Sequence, residues 1–214
     1  MYVILICLLS GGLLAALFKD ELRSALVSQT LSRTAGIIEY TPKANDFLPR
    51  LAKYISGAKQ EIWFTGISFY VTLPQHRNLL MKRLEEGVDV RFLIYDPLSP
   101  NLSEVASGFS QTEEALRSEC DVTIQNLREM YDEWKQRGLA GGLEVRLFST
   151  IPWTRIYVFD RKLETGFTYF ILHVDRQNTP NLPGFLVRNI KTGIAPAYFE
   201  GIERVWNSSK RFGD

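Results

Sequence analysis

The chain has 214 residues and a formal net charge of +1, with 45% apolar and 23% charged residues. This length and composition are typical of a globular protein with one domain and a real core. The near-neutral charge gives no global electrostatic attraction for nucleic acid, so a nucleic-acid partner is not favoured. Two cysteines, two histidines and no C-x-x-C or H-E-x-x-H motif give no sign of a disulfide framework or a metal site. We therefore expect no metal and no cofactor.

The first segment, residues 1–18, carries no charged side chain. As a helix it would span about 27 Å, close to the hydrocarbon thickness of a bilayer. It lacks the preceding basic residue and the following small-x-small site of a cleaved signal peptide. A buried core helix is a weaker alternative because the run is apolar on all sides. We expect an uncleaved transmembrane anchor.

The basic residues near this segment all follow it, at Lys19, Arg23 and Arg33. The positive-inside rule then predicts a single-pass protein of the cell membrane with its C-terminal domain in the cytoplasm. Residues 19–44 begin with helix formers and continue through Gly36 into a polar stretch, so we interpret them as a juxtamembrane stalk and linker.

The remaining segment, residues 45–212, alternates between helical and strand patterns. Its first half predicts a helix ending near Gly57, a strand from Glu61, a helix stopped by Gly87, and the strand VDVRFLIYDP. A strand, a helix and a second strand in this order predict a parallel pair with a right-handed crossover.

The second half of the domain begins with a polar stretch, 101–111, which we expect to be a loop. Ser110-x-x-Glu113 then resembles a capping box that opens the longest helix of the domain. Further strands are predicted at LEVRLFS, at 155–159 and 167–174, and at FLVRNI, with a last helix over 195–208.

One strand carries a motif in which Arg155 is followed by four apolar residues and Asp160, with Trp153 on the same strand face as Arg155. This pattern resembles the H-x-K-x4-D signature of the phospholipase D superfamily. EEGVDVRFLIYDP, LEVRLFS and AYFEGIERVW resemble further elements of that family in the same order, between Asn45 and Trp206. The resemblance implies an α/β fold, with a phospholipase D-like mixed sheet flanked by helices. A Rossmann-like domain is the alternative, but the chain has no G-x-G-x-x-G.

The resemblance also implies that phosphodiesterase activity has been lost. Trp153 stands at the position of the family's nucleophilic histidine, and an indole has no nucleophilic lone pair. Arg155 stands at the position of the phosphate-binding lysine, and Asp160 is kept. The family's glutamate is missing from PGFLVRNI.

Two histidines could replace the lost nucleophile. His173 lies in the next strand, where His173-x-Asp175 has the spacing of the family's S-x-N element, and His76 follows the strand EIWFTGIS. For each of them, an ordinary structural or surface histidine is the favoured interpretation. Arg155 has two interpretations of its own: a contact to phosphate, or a partner for a buried carboxylate such as Asp160.

Three functions follow from these residues. The first is a membrane-anchored pseudoenzyme that binds a phosphorylated small molecule, a lipid headgroup or a protein partner through Arg155, Asp160, Trp153 and His173. The second is a dimeric phosphodiesterase or nuclease that uses His173 or His76, since single-copy members of the family complete their site by forming a homodimer. The third is a structural membrane scaffold.

If residues 1–18 anchor the chain as predicted, the domain should be protected from protease added outside the cell. Protease added to intact cells should leave the domain uncut, because it lies on the cytoplasmic side, whereas permeabilised cells should show complete digestion. Immunoblotting with an antibody to the domain measures both. Cleavage in intact cells, or a mature chain that lacks residues 1–18, would contradict the prediction.

Overall fold

The computed structural model describes residues 29–30, 32–151, 154–173 and 181–212. Its strands are β1 (Ile37–Thr41), β2 (Glu61–Gly66), β3 (Asp89–Tyr95), β4 (Leu143–Phe148), β5 (Thr154–Phe159), β6 (Phe167–Leu172), β7 (Gly184–Arg188) and β8 (Lys210–Arg211). Its α-helices among these residues are α1 (Leu51–Gly57), α2 (Thr72–Glu85), α3 (Leu102–Gly108), α4 (Glu113–Arg137) and α5 (Ala195–Ser208). Two short 3₁₀ turns, Ala44–Asp46 and Leu48–Arg50, precede α1.

The eight strands form one mixed sheet in the order β1-β7-β6-β5-β2-β3-β4-β8. Strands β2, β3 and β4 are parallel, which confirms the predicted parallel pair. Strand β5 runs antiparallel to β2, and β6 and β7 continue the antiparallel half of the sheet. The prediction of a mixed sheet flanked by helices is confirmed.

Both faces of the sheet are buried, which explains why every residue of β2 is buried and not only alternate ones. Ile62 and Phe64 belong to one core cluster with residues of α1 and α2. Trp63 points to the other face and belongs to a second cluster with α3 and α5. Helix α4 contributes side chains to both clusters.

The N-terminus of α4 differs from the predicted capping box. Thr112, not Ser110, is the N-cap, and its Oγ1 accepts a hydrogen bond from the Ala115 N–H at 3.2 Å. Ser110 instead has a φ of 55°, a left-handed conformation that serves the turn before the helix. At the other end Gly138 has a left-handed φ of 58° and ends the helix.

Two segments predicted to be irregular are ordered. The stretch 101–111 contains α3, in which Leu102, Val105 and Ala106 are buried at helical spacing. The segment predicted as linker contains β1, which pairs with β7, so the packed unit begins before Asn45. The short edge strand was missed because its side chains are only partly buried and give a weak pattern.

The predicted anchor, residues 1–18, lies outside the described residues. Within the described part of the chain, no helix combines the length and the apolar character that crossing a bilayer requires.

Asp160 closes the turn after β5 and ties it to the start of β2. It is 6% exposed and has a left-handed φ of 54°. Its Oδ1 accepts hydrogen bonds from the backbone N–H groups of Lys59, Gln60 and Glu61, at 2.9, 2.7 and 3.2 Å. The carboxylate thus fixes the start of β2 and has a structural role.

Asp160→Ala should destabilise the fold by about 3 kcal/mol or more, because it leaves buried N–H groups unpaired and puts alanine in a left-handed conformation. Asp160→Asn should cost much less, since its amide oxygen can occupy the Oδ1 position and asparagine tolerates this backbone conformation. Urea unfolding measures both. The control is Asp121→Ala, an exposed site on α4. Equal losses for the alanine and asparagine variants would contradict this account.

Candidate functional site

The sheet topology brings several strand ends to one edge. The carboxyl ends of parallel β2, β3 and β4 share this edge with the start of β5 and the end of β6, because β5 opposes β2 and β6 opposes β5. A cavity of about 510 Å³ lies there, between the segment after β2, the segment that leads into α4, and the first 3₁₀ turn. Ligands commonly bind at such strand ends in α/β proteins.

Arg155 lines this cavity at the start of β5. Its guanidinium donates a hydrogen bond from Nη2 to the Ser68 carbonyl at 3.1 Å and lies over the Phe69 ring, 5.5 Å from its centroid. Gly66 makes room for the stem, because a Cβ there would come within 3.2 Å of Arg155 Cγ. Nε is buried and has no hydrogen-bond partner among the described residues.

A second charged side chain, Glu119 of α4, lines the same cavity. Its Oε2 accepts a hydrogen bond from the Ser68 hydroxyl at 3.0 Å, and its Oε1 accepts one from the Gln111 amide at 3.0 Å. Ser68 is 3% exposed and therefore links Arg155, through its carbonyl, to Glu119, through its hydroxyl. The loop after β2 is further fixed where the Phe69 N–H donates to Thr123 Oγ1 at 3.0 Å.

His173 lies at the end of β6, beside the cavity. Phe109 lines the cavity, and its ring meets the His173 ring edge-on with centroids 4.5 Å apart. Both imidazole nitrogens are buried and lack a hydrogen-bond partner among the described residues. Burial, together with the positive charge of Arg155, lowers the pKa of His173 to about 3. The imidazole is therefore neutral at physiological pH.

The other predicted site residues are dispersed. His76 is on α2, half-buried, and burial lowers its pKa; it is not one of the residues that line the cavity. Asp160 lies at the far end of β5 from Arg155, so the structure separates these two residues and does not pair them. Trp153 lies outside the described residues, as does Asp175. The structure thus brings Arg155 and His173 together at one edge of the sheet.

Sequence reasoning missed Ser68, Phe109, Gln111 and Glu119. Glu119 lies next to Cys120 on α4, and no spacing in the sequence connects it with Arg155. Cys120 is buried, and burial raises the pKa of its thiol to about 12, so it is a core residue.

Comparison of the sequence with family models gives no match. The human protein DnaJ homolog subfamily B member 13 is 32% identical over 106 residues, which cover 49% of this chain and 32% of that protein. The chain therefore spans about a third of the length of this curated relative.

Comparison with solved structures finds proteins that share this fold. Phosphatidylserine synthase of Haemophilus influenzae is 12% identical, with a TM-score of 0.53 over 80% of this chain and 38% of that one. The archaeal chromatin protein TrmBL2 is 13% identical, with a TM-score of 0.50 over 94% of this chain and 65% of that one. Nuc of Salmonella typhimurium, a phospholipase D family member, is 17% identical, with a TM-score of 0.47 over 82% and 95%.

Because the His173 imidazole is neutral in the folded protein, we expect the free energy of unfolding to decrease at acidic pH. Because the pKa of His173 in the folded protein, about 3, is below its ordinary value, the unfolded chain binds this proton first. His173 should therefore lower stability by about 1.4 kcal/mol per pH unit as the pH falls from about 6.5 towards 3. His173→Gln should flatten this part of the pH dependence in urea unfolding, and His76→Gln should change it less. Equal acid dependence in wild type and His173→Gln would contradict the prediction.

Proposed function

We propose that this chain is a phospholipase D-like domain that binds a phosphate-bearing ligand and has lost phosphodiesterase chemistry. The observation that carries the proposal is Arg155, a cation that lines the cavity and makes no ion pair among the described residues. A guanidinium binds two phosphate oxygens at once, which makes arginine well suited to such a ligand.

The surroundings of Arg155 support binding. Its Nη2 is held by the Ser68 carbonyl and its face by the Phe69 ring, so the guanidinium is oriented before any ligand arrives. Its Nε is buried with a donor unused among the described residues. Asp160, the carboxylate that would have explained Arg155 as half of a structural pair, accepts backbone N–H groups at the opposite end of the strand.

The alternative function is a phosphodiesterase that uses His173. Its neutral imidazole is in the protonation state that a nucleophile needs, and it lies near Arg155. Against this, neither described histidine is among the residues that line the cavity, and both ring nitrogens of His173 are buried beside Phe109. Binding without turnover is therefore the better supported proposal.

The location and the partners form part of the proposal and rest on the sequence. We propose that residues 1–18 anchor the chain in the cell membrane with the domain on the cytoplasmic side. The ligand is then a phosphorylated small molecule or a lipid headgroup, and a protein partner or a homodimer would assemble at the same membrane.

Arg155→Ala should weaken the binding of glycerol 3-phosphate roughly ten- to a hundredfold, since a charge-assisted hydrogen bond contributes about 1.5–3 kcal/mol. Arg155→Lys should recover part of that loss, because it restores the charge but not the planar fork. Isothermal titration calorimetry measures the affinities. Arg204→Ala, an exposed position on α5, removes the same charge away from the cavity and serves as the control.

Thermal unfolding separates binding from structure in these variants. An arginine without a buried carboxylate partner should cost little stability when removed, so Arg155→Ala should keep a melting temperature close to that of the wild type. A large fall in melting temperature together with unchanged affinity would refute the binding role of Arg155.

A further inference from the structure

The cavity holds two opposite charges that do not neutralise each other. Arg155 and Glu119 both line it, and neither takes part in an ion pair among the described residues. Elsewhere in the described part of the chain, half-buried charges do pair, as in Arg77 with Glu133 at 2.7 Å. Arg155 and Glu119 are not paired in this way.

Ser68 lies between Arg155 and Glu119 and hydrogen-bonds to both of them. Its carbonyl accepts from Arg155 Nη2 at 3.1 Å, and its hydroxyl donates to Glu119 Oε2 at 3.0 Å. The serine is itself buried and thus acts as a fixed spacer between the cation and the carboxylate. The cavity consequently has a positive site and a negative site at fixed positions.

Glu119 has acceptor capacity to spare. A carboxylate offers about four lone-pair positions, and the hydrogen bonds from Ser68 and Gln111 use two of them. Both of these partners are neutral, so the negative charge is stabilised by dipoles but not balanced by a cation. A ligand with a positive group would supply that balance, so it should bind more tightly than a ligand that carries only the phosphate.

The aromatic residues of the cavity suit a ligand that carries a positive group as well as a phosphate. Phe69 and Phe109 line it and present apolar surface to the part of a ligand that joins its two charged ends. Tyr70, 44% exposed, lies at its rim. Aromatic rings are also favourable neighbours for an ammonium group.

We propose that Glu119 is a specificity-determining residue that binds the amine of a ligand carrying both a phosphate and a positively charged amine. Arg155 binds the phosphate of the same molecule, so this inference rests on the proposed function and narrows its ligand class. The ligand is an amino-alkyl phosphate, either free or as the headgroup of a lipid.

Calorimetry with two matched probes tests the proposal on the full chain. Phosphoethanolamine and glycerol 3-phosphate are phosphate monoesters of similar size, and only the first has an amine. Wild type should bind phosphoethanolamine about tenfold or more tightly than glycerol 3-phosphate, since one charge-assisted contact contributes at least a factor of ten. Glu119→Gln should abolish this preference and should leave the affinity for glycerol 3-phosphate unchanged or increased.

The control is Glu114→Gln, which removes an exposed negative charge from the first turn of the same helix and should keep the preference. Glutamine is isosteric with glutamate and can still accept a hydrogen bond from Ser68, so the melting temperature of Glu119→Gln should stay near that of the wild type.

A second comparison shows whether the ligand is a lipid headgroup or a free small molecule. It uses a short-chain, water-soluble phosphatidylethanolamine and a phosphatidylglycerol of equal chain length. Tighter binding of that lipid than of phosphoethanolamine indicates a headgroup, and the reverse indicates a free small molecule.

The outcomes distinguish this inference from the proposed function. Equal affinity of wild type for both monoesters, or a preference that survives Glu119→Gln, overturns the role of Glu119; Arg155-dependent binding of glycerol 3-phosphate would then leave the proposed function standing. If neither monoester nor either lipid binds, the proposed function itself fails.

Discussion

The antiparallel pairing of β5 with β2 is the interaction on which the rest of the structure depends. It joins the parallel half of the sheet to the antiparallel half, with Ile62 opposite Phe159 and Thr65 opposite Ile156. The same register determines both ends of β5. At one end Arg155 lies beside the segment that follows β2, and at the other Asp160 lies beneath the turn that precedes β2. The cavity and the buried carboxylate are thus two consequences of one strand pairing.

Much of this sheet was predictable from the sequence, since β3, β4 and β5 carry clear strand patterns and Gly87 follows a helix where it was expected. Arg155 was predictable as a candidate site residue because its spacing to Asp160 resembles a known signature. The inference that Asp160 belongs to the same site does not follow from that spacing. Five residues of extended chain span about 16 Å, so the two side chains lie at opposite ends of β5.

The rest of the site could not be predicted because its residues come from distant parts of the chain. Ser68 and Glu119 are separated by 51 positions, and only the packing of α4 against the segment after β2 brings them together. Phe109 became a cavity residue because 101–111 contains α3 and a left-handed Ser110, neither of which its polar composition indicated. Hydrophobic periodicity identifies faces, but it does not say which polar residue at the margin of a face will meet another.

Helix α4 has a consequence for how the domain unfolds. Its first half contributes Leu116 and Cys120 to the core on one face of the sheet, and its second half contributes Leu127 and Met130 to the core on the other. Neither layer can therefore detach while the helix stays in place, so the two layers should form one cooperative unit rather than separate foldons. Glu119 and Thr123 lie where the helix passes from one layer to the other. Slow amide exchange centred there would mark the point at which the domain opens last.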